Sequence, residues 1–156
     1  MTANFEQMDT NGVLLTGTFY LLRPGRLRFH YNKPSTLQIF ADGKWLVHYD
    51  GENQEYTTLA LSETPASFLV ADPINLMDKQ YTVSITDGPV FTLLTLSKKD
   101  EPDLGSLTLK FKKNPLTLIQ WIVIDAQGLK TVVNLDRVER RGTFDDGLFR
   151  LPAGIS

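Results

Sequence analysis

The sequence contains no cysteine, which excludes disulfides, thiol nucleophiles and thiolate metal sites together. Histidine is scarce as well, with only His30 and His48. A metal centre would need carboxylates gathered around this pair, which flanks the apolar run 37–40. An exposed strand histidine is the simpler expectation for each, and no metal or cofactor is expected. No stretch approaches the roughly 20 apolar residues of a membrane-spanning helix. The opening residues Met1-Thr2-Ala3-Asn4-Phe5 have neither the basic nor the apolar region of an export signal. Neither sign of charge dominates: 16 Lys and Arg stand against 18 Asp and Glu, a formal charge of −2. That balance offers no overall attraction for nucleic acid or for a strongly anionic membrane surface. The aromatics Phe29, Trp45, Tyr49 and Tyr56 are therefore not read as a base-stacking platform. The glycine patterns of nucleotide-binding loops and the G-x-S-x-G nucleophile elbow are also missing, so no catalytic residue is assigned and no enzymatic activity is expected.

What is present is a chain of 156 residues with 42% hydrophobic and 22% charged residues, the size and composition of one globular domain. Short apolar runs alternate with turn signals: Asp42-Gly43, Asp50-Gly51, Asp87-Gly88-Pro89, Asn114-Pro115, Gln127-Gly128 and Asp146-Gly147. This spacing predicts antiparallel strands over 13–22, 26–31, 37–40, 45–49, 54–59, 81–86, 90–96, 107–111, 116–124 and 131–138. They form a meander curled into an open or closed barrel. The aspartates are read as turn formers that bond the backbone two residues on, and 98–103 as a solvated hairpin loop. One segment differs. Thr64 is a helix N-cap followed by Pro65 at the first helical position, and Pro73 limits the length. A short helix over 64–71 is predicted to lie against the sheet.

Alternation over 26–31 puts Leu27, Phe29 and Tyr31 on one face and Arg26, Arg28 and His30 on the other. Other strands are apolar on both faces. In 116–124, Leu118, Ile122 and Ile124 oppose Ile119, Trp121 and Val123. In 13–22, Val13, Leu15, Phe19 and Leu21 oppose Leu14, Tyr20 and Leu22. Either protein covers both faces, or part of one face lines a cavity for an apolar ligand. Burying an acyl chain contributes about 0.8 kcal/mol per methylene, so such a cavity needs no polar chemistry. Arg23 stands where the apolar run 19–22 meets Pro24-Gly25. It is either a plain surface arginine or a donor of up to about five hydrogen bonds to the carbonyls of a covering segment.

The ordered set Arg23-Pro24-Gly25-Arg26-Leu27-Arg28-Phe29, Tyr31-Asn32-Lys33-Pro34, Ala41-Asp42-Gly43-Lys44, Tyr49-Asp50 and Thr64-Pro65 resembles the outer-membrane lipoprotein carrier (LolA) family. Residues 2–7 look like its first strand, and Asp125-Ala126-Gln127-Gly128-Leu129-Lys130-Thr131 like its late hairpin. The resemblance implies a mostly β fold: an unclosed antiparallel β-barrel, or half-barrel, with a short helical lid. It implies a periplasmic carrier that takes lipoproteins from an inner-membrane ABC transporter, shields their acyl chains and passes them to an outer-membrane acceptor. It places Leu27, Phe29 and Tyr31 on the lipid-binding face, Phe68 and Leu69 on the lid, and Arg23 as the latch holding the lid. The family's amphipathic helix before the first strand has no counterpart in these residues. The expectation is one carrier domain over 1–156 in which that helix is not seen: either it has been trimmed from this chain or this member lacks it. In the latter case the apolar face would be partly uncovered and prone to take up lipid, detergent or a second copy. An acceptor or an envelope-stress lipid sensor of the same fold is the alternative role. A lipid esterase would require a serine, His30 or His48 and a carboxylate in mutual contact.

Overall fold

The computed structural model describes residues 1–61, 70, 81–140, 144 and 146–149. Its strands are β1 (Thr2–Asp9), β2 (Leu14–Leu22), β3 (Arg26–Tyr31), β4 (Leu37–Asp42), β5 (Trp45–Asp50), β6 (Glu55–Ala60), β7 (Tyr81–Asp87), β8 (Phe91–Lys98), β9 (Ser106–Lys112), β10 (Thr117–Ile124) and β11 (Lys130–Glu139). Every run predicted from alternation is a strand, with ends displaced by no more than about two residues, as hydrogen-bonded ladders outlast the apolar pattern that nucleates them. β1 is the first strand that only the family resemblance had suggested. Two short 3-10 turns, Pro102–Leu104 and Asp146–Phe149, complete the described elements. No helix among the described residues is long and apolar enough to cross a membrane.

The aspartates act in the turns as expected. Asp42 Oδ1 accepts from the N–H groups of Lys44 (3.0 Å) and Trp45 (2.9 Å). Asp50 Oδ1 accepts from Glu52 N–H at 3.0 Å. Asp125 Oδ1 accepts from Gln127 and Leu129, both at 2.9 Å. In each case a side chain takes over the role of a backbone acceptor and closes the hairpin locally.

The strands form one antiparallel sheet in the order β6-β5-β4-β3-β2-β1-β11-β10-β9-β8-β7. Two meanders, β2 to β6 and β7 to β11, are joined through β1. The end strands β6 and β7 are not paired with each other, so the sheet does not close. The chain packs as two compact units. One comprises Met1–Asn4, Gly17–Asn75 and Glu139–Ser156; the other comprises Phe5–Thr16 and Leu76–Val138.

In the second unit the core is built on one sheet face from Leu94, Leu96, Leu107, Leu109, Leu118 and Trp121, all buried. Strict alternation had set Leu118 and Trp121 on opposite faces. β9 instead pairs Phe111 with Leu118 and Lys110 with Gln120, leaving Ile119 without an opposite residue. This β-bulge resets the alternation and brings both side chains to the core face. Leu118 therefore belongs with Trp121, not with Ile122 and Ile124.

Candidate functional site

The first unit carries an apolar row across five strands. Leu21 pairs with Leu27, Leu27 with Ala41, Ala41 with Leu46, and Leu46 with Leu59. Directly paired residues of an antiparallel ladder share a face, so these five line one side. The next row runs Phe19, Phe29, Ile39, His48 and Thr57, apolar as far as β4 and polar beyond. Leu27, Phe29 and Tyr31 thus share the face that alternation predicted. The rings of Phe29 and Tyr31 form a ladder with Phe19: Phe19 and Phe29 lie 4.9 Å apart between centroids, and Phe29 and Tyr31 stack at 6.2 Å. Burial grades outward along the rows. Phe19, Leu27 and Tyr31 are buried, Phe29, Ile39 and Leu46 are half-buried, and Leu59 is exposed. A gradient of this kind offers apolar surface next to a packed core.

Arg23, half-buried, lies in the turn between β2 and β3. The backbone of that turn is held on two sides. Gly25 N–H donates to the carbonyl of Val70 at 2.8 Å. Gly25 has φ of 79°, and a Cβ there would lie 2.9 Å from the Gly43 Cα in the β4–β5 turn. Only glycine meets both demands without strain. Val70, buried and helical, is the single described residue of the predicted lid segment 64–71. Phe68 and Leu69 lie outside the described residues. The glycine of the Arg-Pro-Gly turn therefore ties its backbone to this segment, a contact that the sequence reading did not anticipate.

The reverse face, where alternation put Arg26, Arg28 and His30, holds one buried member of that set. Arg28 is only 9% exposed. Its Nη1 donates to the Leu148 carbonyl and its Nη2 to Gln38 Oε1, both at 2.9 Å, while the buried Nε has no hydrogen-bond partner. Burial lowers the guanidinium pKa, and the Tyr20 hydroxyl acts in the opposite direction. Tyr20, paired with Arg28 across the ladder, meets the Phe144 ring edge-on at 5.9 Å, and Phe144 meets Phe149 likewise at 5.8 Å. The segment around Asp146–Phe149 therefore covers this side of β3. That explains part of the apolar character of β2 on both faces, since Tyr20 is packed by protein.

His30 and His48 are both exposed and stand on opposite faces, His30 opposite Gln38 and His48 opposite Ile39. The pair cannot share one metal ion, and no cluster of three potential ligands occurs among the described residues. In the second unit a groove lined by Met8, Leu14, Lys130 and Val132, with Glu6 beside them, lies along β1 and β11. It mixes apolar and charged groups, unlike the rows of the first unit.

Comparison with known proteins agrees with this construction. The family model for outer membrane lipoprotein carrier protein LolA matches residues 1–152. An outer-membrane lipoprotein carrier protein of Xanthomonas campestris pv. campestris is 34% identical over 156 residues, which covers 94% of this chain and 73% of that protein. The protein of the same name from Leptothrix cholodnii is 29% identical over 147 residues, 89% of this chain and 67% of its own. Among solved structures, a LolA superfamily protein from Nitrosomonas europaea aligns with a TM-score of 0.50 at 12% identity, over 96% of this chain and 89% of that one. This likeness shows the fold. Proteins of this family are carriers rather than enzymes. By its match over nearly the whole length, the chain belongs to the outer membrane lipoprotein carrier protein (LolA) family.

Proposed function

We propose that this carrier holds lipoprotein acyl chains against the face of Leu27, Phe29 and Tyr31, with Phe68 and Leu69 closing over them. Arg23 and the Gly25–Val70 hydrogen bond latch the covering segment. The observation that carries this reading is the apolar face on which Phe29 is half-buried between the buried Leu27 and Tyr31 along β3. An acyl chain laid along it gains about 0.8 kcal/mol per methylene without any polar partner. In this reading the protein works in the periplasm. It receives cargo from an inner-membrane ABC transporter and yields it to an outer-membrane acceptor.

Uptake of a triacylated lipopeptide, followed by displacement of a fluorescent fatty acid, tests the face. Phe29→Glu is expected to abolish uptake with the far-ultraviolet dichroism unchanged, because a carboxylate on an apolar wall must be desolvated. Equal uptake by both proteins would remove the face from the site. Arg23→Leu should speed hydrogen exchange over 64–71 and shift ligand release; unchanged exchange there would end the latch assignment.

A further inference from the structure

The net charge of −2 conceals a local excess of the opposite sign. Residues 88–99 and 106–124 contain no acidic side chain and carry Lys98, Lys99, Lys110, Lys112 and Lys113. Three of these lysines gather at one end of the second unit, where the β7–β8 and β9–β10 turns are fastened together. Lys113 N–H donates to the Val90 carbonyl at 2.9 Å, and Gly88 N–H closes its own turn on the Phe91 carbonyl at 2.9 Å. The Lys113 ammonium is ion-paired with Asp87, whose carboxylate also accepts from Thr92 Oγ1 at 2.8 Å. These contacts join the two tips into one platform.

That platform displays large apolar side chains to solvent. Val90 is 50% exposed, Phe91 40% and Leu116 58%. Phe91 is backed by cations. Lys112 is its direct partner across the ladder, and the Lys110 ammonium lies 4.3 Å from the centre of its ring. Among the described residues the acid at this end, Asp87, is paired with Lys113, so Lys110 and Lys112 leave the platform positive. These exposed apolar groups stand at or next to the tips of two joined hairpins, with the lysines beside them. Exposed apolar side chains with two lysines beside Phe91 match an anionic lipid surface, with the side chains entering the acyl boundary and the ammonium groups at the headgroups.

We propose that this platform docks the protein on the surface of an anionic phospholipid bilayer. The docking is independent of the carrier reading, since it requires no cargo and uses a different unit of the chain.

Sedimentation with vesicles of equal parts phosphatidylglycerol and phosphatidylcholine tests it with the full chain. Binding is expected at low ionic strength, with little to phosphatidylcholine alone. It should fade as salt approaches about 0.5 M, where screening shortens to a few Å. The double variants Lys110→Gln/Lys112→Gln and Phe91→Ser/Leu116→Ser should each bind at least about tenfold more weakly. Absence of binding to the anionic vesicles, or equal binding by wild type and both variants, would overturn the proposal. Phe29→Glu serves as the control for lipid entering the other unit: binding that persists in it counts for the platform, and binding lost with it counts against. If the variants lose delivery of cargo to membranes while the wild type never binds vesicles, a protein receptor is the occupant and the lipid assignment fails.

Discussion

Arg28 shows how far one residue's role depends on what the rest of the chain brings to it. In the alternating run it is equivalent to Arg26 and His30, yet a carbonyl 120 positions away in the chain, that of Leu148, takes one of its hydrogen bonds. Hydrogen bonds to a charged group contribute about 1.5–3 kcal/mol each, and truncation leaves Leu148 and Gln38 short of a donor. Arg28→Ala is therefore expected to destabilise the fold by about 2–4 kcal/mol in urea unfolding. It should also accelerate hydrogen exchange at 146–149 beyond the global change. Exchange there that merely follows global stability would mean that the arginine is not the anchor of this segment. Arg28→Met should cost less than alanine, because it restores the packing and removes the unpartnered Nε. The turn signals and the alternation of Leu27, Phe29 and Tyr31 were legible in the sequence because each rests on neighbours a few positions apart. The burial of Arg28 was not, because its cause lies at the far end of the chain.

At the scale of elements, the β7–β8 and β9–β10 hairpins are coupled through Asp87 and Lys113. The Asp87 carboxyl is held below its usual range, first by the hydrogen bond from Lys113 and next by that from Thr92. A depressed folded pKa means that the contribution is fully present above the unfolded carboxyl value of about 3.9. It is lost as pH falls through the lower folded value. Wild type should therefore exceed Asp87→Asn in stability near neutrality by a small margin, as befits an exposed pair. The two should converge when unfolding is measured well below pH 4. A gap that stays constant across this range would assign the effect to something other than the charge. The β10 bulge teaches the complementary lesson. A period of two is a reliable guide only while each residue has one partner, and the extra Ile119 moves Leu118 to the face of Trp121 without leaving a mark in the hydrophobic pattern.

At the scale of the whole molecule, the strand order separates β6 and β7, which are successive in the sequence, to the two ends of the sheet. The contacts that join the meanders, β1 with β2 and β1 with β11, include pairs at opposite ends of the chain, and such non-local pairing slows folding. An unclosed sheet also leaves two edges. β7 is uncharged from Tyr81 through Thr86, rich in β-formers, and carries Ile85 at 53% exposure, with none of the lysines or prolines that blunt natural edges. Ile85→Lys is expected to raise the protein concentration tolerated before light scattering appears, with the unfolding midpoint changed by no more than about 0.5 kcal/mol. Unaltered aggregation would show that this edge is already protected.

The sequence by itself determined the all-β class, the hairpin turns at Asp42-Gly43, Asp50-Gly51, Asp87-Gly88, Asn114-Pro115 and Gln127-Gly128, the sharing of a face by Leu27, Phe29 and Tyr31, and the family, through motifs kept in order along the chain. These features are local, or are sums of local features, so a linear reading reaches them. Only the tertiary structure decided which side of β3 the Asp146–Phe149 turn covers, that Gly25 ties to Val70, and that two lysines of β9 stand beside Phe91 of β8. Each of these depends on groups distant in sequence being brought within hydrogen-bond or van der Waals reach. The absences at the outset pointed the same way. Without cysteine and with few histidines, the chain's chemistry rests on apolar surface and on where its charges gather. Composition gave the balance of those charges, but the positions of Arg28 and of the lysines beside Phe91 came only from folding.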